Sequence, residues 1–203
     1  MISATLGHQP VGEAMATAAP AGADAGGEVE LLAGVVAGQP AAVRRLLDEV
    51  APIVYGFVFA RVGGDQPVAE DLLQETLFEA VRSAAGFRGE AALSTWMCAI
   101  ARRRLARHYE AERRAETARA GLHVVVATEP PVDDAEALER RDQVVRALGR
   151  LPSLHRQVLV LKYLDGLPVE EIAGQLGRSR VQVQSLLQRA RAGLRAELGD
   201  GDD

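Results

Sequence analysis

This chain is short of cysteine and of aromatic residues. Cys98 is the only cysteine, Trp96 the only tryptophan, and aromatics make up 4% of 203 residues. A single cysteine excludes an intramolecular disulfide and a cysteine-rich zinc site, and it fits a reducing cytoplasm. With so few rings, any core must be filled with Leu, Val and Ala. Hydrophobic residues reach 48%, enough for one or two cores. No apolar run is long enough to span a bilayer. Met1–Ala25 lacks a basic start followed by an apolar block, so it does not read as a signal peptide. His8, His108, His123 and His155 are scattered, with no metal-ligand spacing and no nucleophile–base pair. No metal, no cofactor and no catalytic residue is expected, and an enzyme is the least supported reading.

A basic excess is missing too: the net charge is −5. The average conceals a pattern. From Cys98 to Arg119 there are seven Arg against three Glu, and from Arg150 to Leu198 eight Lys or Arg against four acids. The acids collect in the first forty residues, in Asp65–Glu79, before Ala135 and in the tail. Two basic zones on an acidic chain point to two contacts with a polyanion, although each alone also fits a solvated helix face.

The periodicity is helical throughout, predicting an all-α chain of two small domains. Residues 1–27 are rich in Ala, Gly and Pro without an apolar period and read as a disordered extension. A first block spans 28–119. Leu31, Leu32, Val35 and Val36 open it, and Val43, Leu46, Leu47 and Val50 follow Pro40. Pro52 is expected to kink or restart that helix before the Gly63-Gly64 break. Asp65 is placed to cap a helix ending at Gly86, with Leu72, Leu73, Thr76, Leu77 and Ala80 inward and Glu70, Asp71, Gln74, Glu75 and Glu79 outward. Ser94 is placed to cap a helix over Thr95–Arg119. Residues 120–134 read as a linker; its HVVVAT run is too short and isolated to count as a stable strand. A second block spans 135–198, with Ser153 expected to cap a helix, and residues 199–203 form an acidic tail.

The stretch PVEEIAGQLGRSRVQVQSLLQRARAGLRAEL, Pro168–Leu198, meets the demands of a helix-turn-helix. Ala173 is small where the helices must cross. Gly177, four positions on, suits a positive φ in the turn. Ile172, Leu176, Val183 and Leu187 supply the anchors, and Ser179 an N-cap. An ordinary helical hairpin needs the turn glycine but not the whole set. The outer face of the second helix then carries Arg180, Gln184, Ser185, Gln188 and Arg189, flanked by Arg178 and Arg191. Gln pairs bidentately with adenine and Arg with guanine; the flanking Arg suit phosphates.

Two features of the first block go beyond a simple repressor. AEDLLQETLFEAV is an acidic helix that repels DNA and invites a protein partner. FRGEAALSTWMCAIARRRLARHY joins a Gly-containing loop and a Trp to a strongly basic helix, a combination suited to single-stranded nucleic acid. Taken alone, Trp96 reads as a core residue ahead of a nucleic-acid contact.

Together these segments resemble an extracytoplasmic-function (ECF) sigma factor of the sigma-70 family, over roughly 30–114 and 135–198. The resemblance implies a core-polymerase contact at Asp71, Gln74 and Glu75, on the clamp helices of the largest subunit. It implies −10 element reading and melting at Arg88, Gly89, Glu90, Ser94, Trp96, Arg102, Arg103 and Arg107. It implies −35 reading at Arg178, Arg180, Gln184, Ser185, Gln188, Arg189 and Arg191, with the linker threading through polymerase. The implied partners are core RNA polymerase, promoter DNA and an anti-sigma factor, without membrane insertion. Two departures stand out. Arg103 takes a place where the family often has Asn. The run Val181-Gln182-Val183-Gln184-Ser185-Leu186 replaces a Gly-Thr-Val-Lys-Ser-Arg pattern, which removes two basic groups from the expected −35 face, and Arg178 replaces an apolar residue. Two alternatives stay open: a helix-turn-helix regulator binding duplex DNA without polymerase, and a sigma-like interaction protein that reads no DNA.

Overall fold

A computed structural model describes residues 25–119 and 135–199. The expectations for 1–24, for the linker with its HVVVAT run and for 200–203 lie outside the described residues. Among the described residues all regular structure is helical, as the periodicity predicts.

The first block starts with α1 (Ala25–Val36), slightly before the expected Glu28, and α2 (Pro40–Arg45). A π-helical turn, Leu46–Val50, leads into α3 (Ala51–Arg61), with Pro52 in its first turn. The proline thus restarts the helix, and the wider turn absorbs the missing amide donor. Helix α4 (Gln66–Arg82) begins at Asp65, whose carboxylate accepts from the Val68 amide at 3.1 Å. It stops at Arg82, and the Gly86 end is a separate 3₁₀ turn over Ala84–Gly86. Helix α5 spans Leu93–Arg119, 27 residues. Ser94 therefore lies inside the first turn instead of capping it. The cap comes from α1, where the Glu28 carboxylate accepts from the Leu93 amide at 3.0 Å.

These helices close on one core. Val54, Val58, Leu93 and Met97 are fully buried in it. Burying each such side chain contributes roughly 1.5–3 kcal/mol. Thr76 is buried too, its hydroxyl donating to the Leu72 carbonyl at 2.6 Å, so the one polar group on that face is satisfied.

The second block has its own core of Leu148, Leu151, Val158, Ile172, Val183 and Leu187 among others. It is built from α6 (Ala135–Arg150), α7 (Ser153–Leu159), a second π-helical turn (Val160–Leu164), α8 (Val169–Leu176) and α9 (Arg180–Gly199). Ser153 does not cap α7. Pro152 holds the cap position, and Ser153 is buried, donating to Glu116 of the first block from both its amide (2.9 Å) and its hydroxyl (2.6 Å).

The two cores are separate, but the blocks touch. Arg61, buried at the end of α3, reaches Asp165 of the second block, and Arg156 of α7 pairs with Glu112 of α5. Gly63 and Gly149 bring their backbones so close that a Cβ on either would stand 2.4 Å from the other's backbone. The residues that make this contact are far apart in sequence, so local periodicity does not reveal it.

Candidate protein and nucleic-acid interfaces

The first candidate surface is the outer side of α4. Asp71, Gln74 and Glu75 are all exposed, as their spacing predicts. Arg104 of α5 braces this side, donating to Glu79 at 2.9 Å and to Glu75 at 3.4 Å. Sequence reasoning missed Phe78. It is 71% exposed and follows Asp71, Gln74 and Glu75 at seven, four and three positions, so it shares their face. That spacing was visible in the sequence, but a phenylalanine beside Leu77 reads as core.

The second surface is the loop before α5 and the helix itself. Gly89 turns the loop with φ +71°, a conformation that favours glycine. Arg88 and Glu90 beside it are exposed. Phe87 is buried, with its ring centroid 5.3 Å from that of Trp96, which is half-buried and packs on the first core. Trp96 is thus at least partly a packing residue that props the loop. Ser94 is half-buried; Arg102, Arg103 and Arg107 are exposed along α5. Arg103 and Arg107 stand one turn apart, whereas Arg102 turns toward Asp165, with its Nε 3.4 Å from the carboxylate.

The third surface is the helix-turn-helix. Gly177 has φ +60°, and the following Arg178 amide donates to the Ala173 carbonyl at 3.0 Å, closing α8 with a left-handed cap. Ser179 and Gln182 cap α9 reciprocally: the Gln182 amide donates to the Ser179 hydroxyl at 3.2 Å, and the Gln182 side-chain carbonyl accepts from the Ser179 amide at 2.8 Å. Ile172, Val183 and Leu187 lock the two helices together. Gln184, Ser185, Gln188, Arg189 and Arg191 all face solvent, and Arg178 is half-buried in the turn. Arg180 pairs with Glu170 at 2.9 Å in a fully solvated contact worth little.

Leu186 needs a correction. It is 4% exposed and belongs to the second core, so it takes nothing from the outer face. Of the two positions where the run departs from a basic pattern, only Gln184 is outward.

Comparison with known proteins decides what these surfaces belong to. Residues 45–115 match the Sigma-70 region 2 family, and residues 141–194 match the Sigma-70, region 4 family. The ECF RNA polymerase sigma factor SigK of Mycolicibacterium vanbaalenii is 30% identical over 155 residues, covering 73% of this chain and 76% of that protein. The chain belongs to the ECF RNA polymerase sigma factors. The ECF RNA polymerase sigma factor BldN of Streptomyces coelicolor is 30% identical over 182 residues, 84% of this sigma factor, which spans 65% of that relative's length. Among solved structures, the sigma factor RpoE of Bartonella quintana, in complex with the anti-sigma factor NepR, is 25% identical over 79% of this chain and 97% of that one, with a TM-score of 0.46.

In this sigma factor the acidic α4 and the loop before α5 fall within the region 2 match, and the helix-turn-helix falls within region 4. One feature of region 4 had no sequence signal. An apolar groove with a cavity of about 360 Å³ lies behind α9, lined by Val144, Leu148, Leu159, Tyr163, Leu194 and Leu198, with Arg191 and Arg195 at its edge. Arg191 therefore borders both the exposed outer face of α9 and this groove. No helix of the described residues is long and apolar enough to cross a membrane.

Proposed function

We propose that this sigma factor directs promoter-specific transcription initiation through the three surfaces just described. The domain division is 28–119 for polymerase and the −10 element and 135–198 for the −35 element. The stretch 120–134 joins them. Asp71, Gln74 and Glu75 meet a basic surface on the clamp helices of the largest polymerase subunit. The loop Arg88–Ser94 captures a flipped −10 base, while Arg103 and Arg107, with Arg102, hold the backbone beside it. Gln184, Ser185, Gln188 and Arg189 read base edges of the −35 element, and Arg178, Arg180 and Arg191 hold its phosphates. The chain makes and breaks no bond; it lends recognition and strand-opening energy to the polymerase. Its partners are core polymerase, promoter DNA and an anti-sigma factor, in the cytoplasm.

The observation that carries this reading is the pairing of opposite surfaces on one chain. An acidic helix face with an exposed aromatic suits a protein partner, and a capped helix with exposed amides and guanidinium groups suits a DNA groove. Transcription by purified core polymerase on a genomic promoter library, with and without this chain, tests it. New transcripts that start downstream of a shared −10/−35 pair are expected only when the chain is present. Tight duplex binding without polymerase and no new transcripts would favour a plain regulator.

A further inference from the structure

Helix α9 carries on its outer side one residue that folding does not account for. Val181 is 73% exposed, more than any other large hydrophobic side chain among the described residues. A lone apolar residue on a surface is ordinary. This one is β-branched and stands in the first turn of a helix, where it lowers helix propensity and fills no core. The Gly-Thr-Val-Lys-Ser-Arg pattern that this run replaces has glycine at its place, so the pattern itself demands no side chain there.

The surroundings of Val181 limit what it can meet. It precedes Gln184, Ser185 and Gln188 by three, four and seven positions, so the four share one face. From Arg180 to Ala196 the helix has no acid. A helical side chain leans toward the N-terminus of its helix, and that is the end that meets base edges when such a helix lies in a major groove. The neighbours in sequence are committed elsewhere. Arg180 pairs with Glu170 of α8 at 2.9 Å, and the Gln182 side-chain carbonyl accepts from the Ser179 amide at 2.8 Å. That cap, with Val183 and Leu187 buried below, fixes the turn that presents Val181. Valine has one strongly preferred rotamer in a helix, so little freedom is lost when it is covered.

We propose that Val181 is a specificity-determining residue for the −35 element and packs on the C5-methyl group of a thymine. This rests on the reading of α9 as the −35 helix. In the major groove, thymine differs from cytosine by that methyl and by an acceptor in place of an amino donor. Valine offers neither donor nor acceptor. It gains by covering a methyl, and it leaves a cytosine or adenine amino group pressed beneath it without a partner. Apolar burial is thus added to the amide code of Gln184. Residues three apart on a helix stand about 5–6 Å apart at Cβ, and successive base pairs rise about 3.4 Å. The thymine therefore lies within about two base pairs of the one that Gln184 reads.

The test uses holoenzyme on synthetic duplexes of the strongest promoter from the genomic library. Deoxyuridine replaces one −35 thymine at a time, which removes the methyl and nothing else. With the parent chain, one replacement is expected to lower the initial transcription rate at subsaturating DNA by about threefold to tenfold. Val181→Ala should shrink that difference and Val181→Gly should erase it. Alanine is a better helix former than valine, so the first variant is read even where the second is less stable. Val181→Thr, which keeps one γ-methyl, should retain most of the difference. Cytosine at the same position should be improved by 5-methylcytosine with the parent and not with Val181→Gly. Circular dichroism checks that each variant folds. The absence of any sensitive thymine, or a difference unchanged by both Val181→Ala and Val181→Gly, overturns the methyl contact. If the chain yields no promoter transcript, the sigma reading falls, and the same comparison is made by fluorescence anisotropy of the full chain on the duplex it selects from a random pool. A difference there that depends on Val181 upholds the contact; an unchanged difference, or no selected duplex, overturns it.

Discussion

Helices α4 and α9 are built alike and present opposite chemistry. Each buries one side in a core, Leu72 and Ala80 for α4 and Val183 and Leu187 for α9. The other side of α4 is acidic, braced by Arg104 and centred on an exposed phenylalanine. The other side of α9 carries amides and guanidinium groups. Among the described residues, the side chains of Gln184 and Gln188 make no hydrogen bond to the protein, so neither must break one to bond a base. An aromatic among charges suits an anchor in a partner's pocket. Unpartnered amides suit an edge with a fixed donor–acceptor code. A net charge of −5 describes neither face.

Breaking the α4 side has the largest expected effect. Asp71→Arg with Glu75→Arg should abolish capture of core polymerase in a pull-down while circular dichroism stays unchanged. Both residues are on the surface, so the cost in stability is small, but the reversed charges oppose a basic partner. Unchanged capture would remove α4 from the interface. Phe78→Ala, which touches no charge, should still weaken capture by about 2 kcal/mol if it is an anchor.

The cores beneath the two helices can be compared in the same way. Ile172 is fully buried in the second core alone, so Ile172→Ala should cost about 2–5 kcal/mol in denaturant unfolding of the second block. Deuterium exchange should report the loss in α8 and α9 and leave α4 protected. Uniform loss across both blocks would show that the cores unfold as one.

On the α9 side the effects are smaller and differ in kind. Gln184→Ala should cost ~1–3 kcal/mol at one preferred base pair of the −35 element and relax the choice there, measured with holoenzyme on promoter variants. Arg191→Ala should weaken all promoters about equally and flatten the salt dependence. A solvated helix would give neither signature.

The smallest effect concerns pH. Burial holds His108 below the usual histidine range, against the pull of Glu112, and burial also lowers His155, helped by Arg189. Both favour the neutral ring in the folded state. As pH falls through about 6.5 the unfolded chain binds protons that the folded chain declines, so stability falls. The melting temperature should drop between pH 7 and pH 5.5, and His108→Gln should reduce the drop.

Local chemistry explains what could be read in advance. Gly177 and Ser179 are legible because a left-handed cap and a capping box are settled by neighbours within four residues. The outward placement of Asp71, Gln74, Gln184 and Gln188 follows from helical period alone. Leu186 was misplaced because a family pattern was followed where the period already put an apolar residue inward, one position from Leu187. Phe78 was overlooked for the opposite reason, since its apolar character outweighed its position.

Ser153 and Ser94 mark the limit. Each is a good capping residue by local rules, and each lost that role to a distant carboxylate, Glu116 at α7 and Glu28 at α5. The sequence by itself determined the helices, the turn geometry and the sign of each exposed face, because those depend on backbone preference and on a period of 3.6 residues. Only the tertiary structure decided which charges meet. Arg61 and Asp165 are 104 residues apart, and nothing local distinguishes them from other surface-type residues. Docking of the two blocks strips water from both, and that desolvation turns an arginine and an aspartate into a buried pair.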